Sequence, residues 1–174
     1  MDEVDGEHTP VQVDGSAPRR SQLWLTVVVA VAWFAADQLT KTWAQERLSD
    51  GDIDLFWTLR LRLAYNSGMA FSQGRGLGPV IGVLALVVIV VLVVSARKGT
   101  STLGAVAVGM VVGGAAGNIA DRLFRSDNGF LQGRVIDFID FQWWPVFNVA
   151  DIGVVVGGIL LVVAAWRASQ EPTG

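Results

Sequence analysis

Cysteine is absent from this 174-residue chain, which removes disulfides, thiolate metal sites and a cysteine nucleophile. Histidine occurs once, at His8 in a polar N-terminal stretch. That excludes a Ser–His–Asp triad and a His-rich zinc site. Charge is scarce too: Asp, Glu, Lys and Arg make up 17% of the residues, against about 25% in an ordinary soluble domain. Their sum is −3, which argues against a nucleic-acid partner, since that needs a basic face. No metal or cofactor is implied. The chemistry left to the chain is that of carboxylates, Lys and Arg, hydroxyls and amides. What is plentiful is apolar surface, with 52% hydrophobic residues and a mean hydropathy of +0.47, which excludes global disorder.

Four apolar runs organise the chain. Gly76 to Ala96 and Gly99 to Ala120 carry no charge over 21 and 22 residues, enough to cross ~30 Å of hydrocarbon. Ser21 to Ala36 and Ile152 to Trp166 are shorter, 16 and 15 residues. Each must draw in a boundary residue to span. Arg20 and Arg167 can snorkel, whereas Asp37 and Asp151 have short stems and belong at a membrane surface. The expected spans are about 21–41, 77–96, 101–121 and 149–167, within a membrane domain over 21–168. Residues 1–20 read as a disordered cytoplasmic tail, and 169–174 as a second cytoplasmic tail. An even number of spans puts both termini on one side. Arg19, Arg20, Arg97, Lys98 and Arg167 flank the helix ends there, so the positive-inside rule places that side in the cytoplasm. Leu59-Arg60-Leu61-Arg62-Leu63 alternates with the period of a half-buried strand. Trp143 and Trp144 suit the headgroup belt. The expected fold is an all-α membrane protein, a four-transmembrane-helix bundle with a small extracytoplasmic β element.

Ionisable groups at membrane depth are costly and so are functional candidates, although each also has a structural reading. Asp37 and Lys41 in DQLTK lie four residues apart on one helix face and can simply pair. Asn66 and Gly68 in NSGMAFS suit a turn. Ser67 or Ser72 would need Lys41 as base to act as nucleophile. In GGAAGNIADR the glycines permit close helix packing; Asn118 and Asp121 share a face, and Arg122 could clamp a carboxylate or a substrate carbonyl. Asp137 and Asp140 in VIDFIDF would point to opposite faces of a strand, so only one can face the bundle. Asp151, ending FNVAD, could be a helix cap, and Asn148 alone is ordinary. The signal is convergence of these groups at one membrane face. Two close aspartates cannot both ionise easily, so one can hold a proton while the other takes a proton from water. The residues by themselves leave a peptidase level with a carboxylate-lined membrane transporter, although the middles of all four spans hold no acid.

DQLTK, YNSGMAF, GGAAGNIADR, VIDFIDF and FNVAD occur in this order among four spans. The set resembles lipoprotein signal peptidase (signal peptidase II) from about Trp24 to Trp166. The resemblance implies an aspartic endopeptidase of the bacterial cytoplasmic membrane, active at its extracytoplasmic face. It would remove the signal peptide from diacylglyceryl-modified prolipoproteins, cleaving before the lipidated cysteine, with membrane lipid as its setting and globomycin-type inhibitors as ligands. It also implies that Asp137 and Asp151 are catalytic. Asp37, Lys41, Asn66, Gly68, Asn118, Asp121, Arg122 and Asn148 then bind substrate or support the dyad. The stretch between Arg122 and Asp137 is long for the family, and the N-terminal tail is an extra. An apolar substrate groove lined by Gly114, Ala115 and Gly153 is expected beside the dyad.

Overall fold

The computed structural model describes residues 22–68, 77–125 and 129–170. The expectations placed on residues 1–20, on Ser72 and on the chain past Gln170 lie outside the described residues. The elements run α1 (Leu23–Arg47), β1 (Ile53–Phe56), β2 (Leu59–Asn66), α2 (Gly78–Arg97), α3 (Thr102–Phe124), β3 (Val135–Asp140) and α4 (Val149–Gln170). All four helices are long and apolar enough to cross a membrane. With 20–25 residues each, they reach ~30–37 Å. The expected bundle with a small β element is therefore present. α1 gains its length by continuing through Asp37 and Lys41, and α4 by running past Arg167.

The bundle is built around α3. In its most apolar stretch 67% of residues are buried, against 11–17% in the other three helices, so α3 is the hub and the others turn most of their apolar surface outward. Small residues make this possible, because they let helix backbones approach closely. A Cβ on Gly109 or Gly113 would strike α1 at Val29 or the Ala30 carbonyl. One on Gly114 would strike the Ala150 carbonyl of α4, and one on Gly117 the Asp37 carboxylate. Gly153 of α4 receives the Trp33 indole in the same way. Gly114 and Gly153 are thus consumed by helix packing, and Ala115 is buried. These three residues do not line a groove, contrary to the expectation from sequence. α2 is held at its start by Leu131, which is fully buried and seated against Gly78 and Gly82. Ser101 caps α3 by accepting from the Gly104 N–H at 3.1 Å.

The three strands form an antiparallel sheet in the order β1-β2-β3. Ile136 and Phe138 of β3 pack on Ala44 and Leu48, with Leu61, Leu63 and Val149 around them, which seats the sheet on the C-terminal end of α1. Pairing starts as Arg60 with Asp140 and Leu61 with Ile139, then shifts, so that Ala64 meets Asp137 and Asn66 meets Val135. β2 spends one extra residue in between, which is a bulge. A one-residue slip exchanges the faces of a strand. Without the bulge Asn66 would oppose Arg134 and turn away from Asp137; with it, both lie on one face. After β3 the chain loops out and returns as Phe147, which pairs with Ile139 through N–H···O bonds of 2.9 and 3.1 Å. This return delivers Asn148 beside β3.

Packing around α3 can be tested by adding single methyl groups. Gly113→Ala should destabilise by about 1–3 kcal/mol through overpacking against α1. Gly158→Ala, whose Cβ would meet nothing within 4 Å, should stay within about 0.5 kcal/mol. Thermal unfolding in detergent measures both, and equal shifts would contradict this packing.

Candidate active site

The site grows from the N-terminus of α4. Asn148 precedes the helix, and its Oδ1 accepts the Asp151 N–H at 3.0 Å. In return the Asp151 Oδ2 accepts the Asn148 N–H at 3.2 Å. This is a reciprocal capping box, the structure that N-x-x-D before an apolar run encodes. The helix start is pinned twice by α1. The Trp33 indole donates to the Val149 carbonyl at 3.0 Å, and the Asp37 Oδ1 accepts the Ala150 N–H at 2.9 Å. The structural reading of Asp151 as a cap is therefore correct. It also accounts for where its carboxylate points.

Asp137 reaches the same place from the sheet. It is buried, and its Oδ1 accepts from the Asn148 Nδ2 at 2.7 Å while its Oδ2 accepts from the Asn66 Nδ2 at 3.1 Å. One asparagine thus contacts both carboxylates, Asp137 with its side chain and Asp151 with its backbone. Asn118 of α3 closes the ring. Its Nδ2 donates to the Asp151 Oδ1 at 2.9 Å, and its Oδ1 accepts from Asn148 at 3.1 Å. Burial first, and then the neighbouring charge of Asp151, push the Asp137 carboxyl up to about 7, against the pull of its asparagine hydrogen bonds and Lys41. Near neutral pH Asp137 can hold or release a proton.

Beneath the ring lies a charge-balanced cluster. Lys41 is fully buried and contacts the Asp37 Oδ2 and the Asp121 Oδ2, both at 2.8 Å. It also donates to the Asn118 Oδ1 at 2.9 Å. Arg125 pairs with the Asp121 Oδ1 at 2.8 Å and contacts Gln45. Gln38 bridges Asp37, Asp121 and the Gly117 carbonyl. Asp121 also accepts the Ile136 N–H at 3.2 Å, which ties β3 to the end of α3. With all three N–H groups engaged in this cluster, Lys41 is not a base for a serine. Ser67 is exposed, and a serine–lysine dyad is excluded there.

Arg122 is buried and donates to the carbonyls of Asn118 and Gly68 at 3.2 and 3.4 Å. It thereby holds the turn in which the Gly68 N–H bonds the Asn66 Oδ1 at 3.0 Å. Its Nε has no partner among the described residues. Asp140 is separated from this group. It pairs with Arg60 at 2.9 Å and Arg62 at 3.4 Å and accepts the Gln142 N–H at 2.7 Å. Burial raises its carboxyl, but these partners outweigh that and hold it below the ordinary range. Sequence reasoning missed Trp33, Gln38, Arg125 and Leu131. Arg125 was legible as the i+4 partner of Asp121; the other three carry no local signal.

Four membrane-length helices that bring carboxylates, amides and an arginine together at one end define an integral membrane protein with a paired-carboxylate site. Comparison with known proteins makes this specific. The sequence pattern described as Signal peptidase (SPase) II matches residues 29–167, and the chain belongs to that family. A lipoprotein signal peptidase of Rhodococcus jostii is 41% identical over 169 residues, covering 92% of this chain and 83% of the relative. One of Mycobacterium avium is 44% identical over 148 residues, covering 84% and 80%. A bacterial membrane enzyme solved by the in meso method at 2.3 Å has the same fold, with a TM-score of 0.73 at 22% identity over 88% of this chain and 94% of its own. As a member of that family it is a peptidase of a bacterial membrane, and the transporter reading is set aside.

The geometry separates two kinds of aspartate by stability. Asp121→Asn weakens its pairing with Lys41 and Arg125, so it should destabilise by about 3–5 kcal/mol, the usual cost of breaking a buried pair. Asp137→Asn removes a buried acid that has no ion-pair partner among the described residues and gives up one of its two accepted hydrogen bonds, so it should cost no more than about 1–2 kcal/mol. Thermal unfolding of the two variants in one detergent checks this, and the reverse order would refute it.

Proposed function

We propose that this peptidase is of the aspartic type, with Asp137 and Asp151 as its catalytic pair. The observation that carries this reading is Asn148, hydrogen-bonded to both carboxylates at once. A water between them would lose a proton to Asp151 as its oxygen attacks the scissile carbonyl carbon. Asp137 would give its proton to the carbonyl oxygen. The resulting diol collapses as its C–N bond breaks: Asp151 passes its proton to the leaving amine, and Asp137 takes one back from a diol hydroxyl, which restores the starting state of the pair. Asn66, Asn118 and Asn148 hold the pair in register, and Gly68 and Arg122 shape the turn beside it. Asp37, Lys41 and Asp121 support it from below. This needs no covalent intermediate and no metal.

The substrate that fits is a diacylglyceryl-modified prolipoprotein, cut before its lipidated cysteine. Its acyl chains are held in the bilayer at roughly 0.8 kcal/mol per buried CH₂. The cysteine is thereby kept at the depth where the helices end, and anchoring supplies positioning that a soluble peptidase must build from subsites. Globomycin-type compounds are the inhibitors that family membership brings with it. Arg97, Lys98 and Arg167 lie at the bundle end opposite the site. The positive-inside rule then favours cytoplasmic termini and an extracytoplasmic active site.

Purified protein incubated with a diacylglyceryl-modified precursor should cleave it before the cysteine, and the unlipidated precursor very slowly. Asp137→Asn and Asp151→Asn should each lower the rate by more than ~10²–10⁴-fold while the protein still inserts. Near-normal turnover in either would remove that residue from the pair. Cleavage needs Asp137 protonated, so the rate should be full at lower pH and fall as pH rises through about 7. A rate that rises through that range would reverse the acid and base roles.

Orientation is tested separately, since the chain is free of cysteine. A single cysteine at Asp52 should react with an impermeant thiol reagent in intact cells, and one at Gly99 should not. The opposite pattern would move the site to the cytoplasm.

A further inference from the structure

Lys41 has no exposed surface, yet one of its three contacts serves no charge. Two of its N–H groups meet the carboxylates of Asp37 and Asp121. The third meets the Oδ1 of Asn118, a neutral amide, at 2.9 Å. A carboxamide has an acceptor end and a donor end. In the observed orientation the donor end of Asn118 faces Asp151 at 2.9 Å. Flipping the amide would aim its NH₂ at an ammonium and its oxygen at a carboxylate, exchanging two attractive contacts for two repulsive ones. Asn148 also donates to the Asn118 Oδ1, but less tightly. Its two N–H protons are shared among Asp137 at 2.7 Å, Asn118 at 3.1 Å and the Ile136 carbonyl at 3.2 Å. Lys41, with three N–H groups for three acceptors, can give one to Asn118 that it shares with no other group.

We propose that Lys41 is a positioning residue for the peptidase reaction. It locks the Asn118 amide so that its Nδ2 is aimed at Asp151, and Asp151 is thereby held facing Asp137. The proposal rests on the catalytic reading of Asp137 and Asp151. It gives Lys41 a task beyond neutralising two aspartates: the charge cluster of α1 and α3 sets the geometry of a carboxylate on α4 through one amide. The oriented ends of that amide are what link them.

A mutant cycle tests this in the intact membrane protein. Asp37→Asn is the reference background, because Lys41→Met added to it removes one cation after one anion and returns the cluster to neutrality, whereas Lys41→Met alone would leave an excess negative charge. In that background Lys41→Met should lower kcat by about 10–100-fold, the scale of a small misplacement, with KM unchanged within about twofold. Asn118→Ala should have a similar effect. The two together should cost less than about threefold beyond either alone, the mark of residues acting as a unit. A purely structural lysine would lower the melting temperature and leave kcat per folded molecule unchanged, or give independent effects that multiply, and either result overturns the proposal. If the Lys41→Met variant lacks a cooperative melt, Asn118→Asp decides. That change keeps an oxygen for Lys41 and removes the N–H aimed at Asp151. A similar loss of kcat upholds the proposal, and wild-type kcat overturns it. Cleavage by Asp137→Asn or Asp151→Asn would instead defeat the catalytic pair itself. Multiplying effects with both of those variants dead would defeat only the role of Lys41.

Discussion

The start of α4 must do two things with one residue. A helix that begins at the end of a membrane bundle has N–H groups that need partners, and Asn148 and Asp151 satisfy them reciprocally. The same Asn148 reaches with its amide to Asp137. Capping a helix and pairing two carboxylates are therefore one structural event. The rest of the site follows from it: Trp33 and Asp37 pin the helix start, and the return of the chain beside β3 at Phe147 brings it within reach. A capping aspartate and a catalytic aspartate are usually competing interpretations of one residue. In the catalytic pair proposed above they would coincide at Asp151, because the cap aims the carboxylate.

Burying so many acids at one end of an apolar bundle requires compensation. Asp37 and Asp121 share Lys41, and Asp121 also holds Arg125, so two anions meet two cations. Asp140 is neutralised on the sheet by Arg60 and Arg62. Asp137 is the buried aspartate of β3 left with amides in place of cations, which is why burial and the charge of Asp151 raise its carboxyl. Among the described residues the cations thus pair with Asp37, Asp121 and Asp140, and Asp137 is left with amides. The role proposed for Asp137, exchanging a proton near neutral pH, calls for that treatment.

The glycines divide their work between packing and placement. Gly109 and Gly113 bring α1 against α3, and Gly114 brings α4 against it. Gly117 leaves the space that the Asp37 carboxylate occupies. Close approach of backbones is what allows short side chains such as Asn118 and Asp37 to span between helices. A bundle spaced by larger residues would leave those amides and acids too far apart to bond.

Much of this was readable in the residues. Uncharged runs of 21 and 22 residues set two spans, because hydrocarbon thickness leaves few alternatives. The absence of cysteine and the single histidine confined the chemistry to carboxylates and amides. The alternation of Leu59 to Leu63 announced a strand, and Asp151 at the start of the fourth run suggested a helix cap, although the part of Asn148 in it was not foreseen. Other features were not readable, since they depend on contacts between residues far apart in the chain. The bulge in β2 decides that Asn66 shares a face with Asp137, and no local pattern marks it. The glycines expected to line a groove are filled by Trp33 and Ala150 instead. Which of Asp121, Asp137 and Asp140 would lack a cation could not be read from spacing: Arg134 lies three positions from Asp137, which forms no ion pair among the described residues, whereas Asp140 pairs with Arg60 and Arg62, about 80 positions earlier. Composition and period determine where a chain can cross a membrane and which chemical groups it carries. The partner of each buried charge is decided only when helices and strands meet, since a charge in a low-dielectric interior is governed by its nearest neighbours in space.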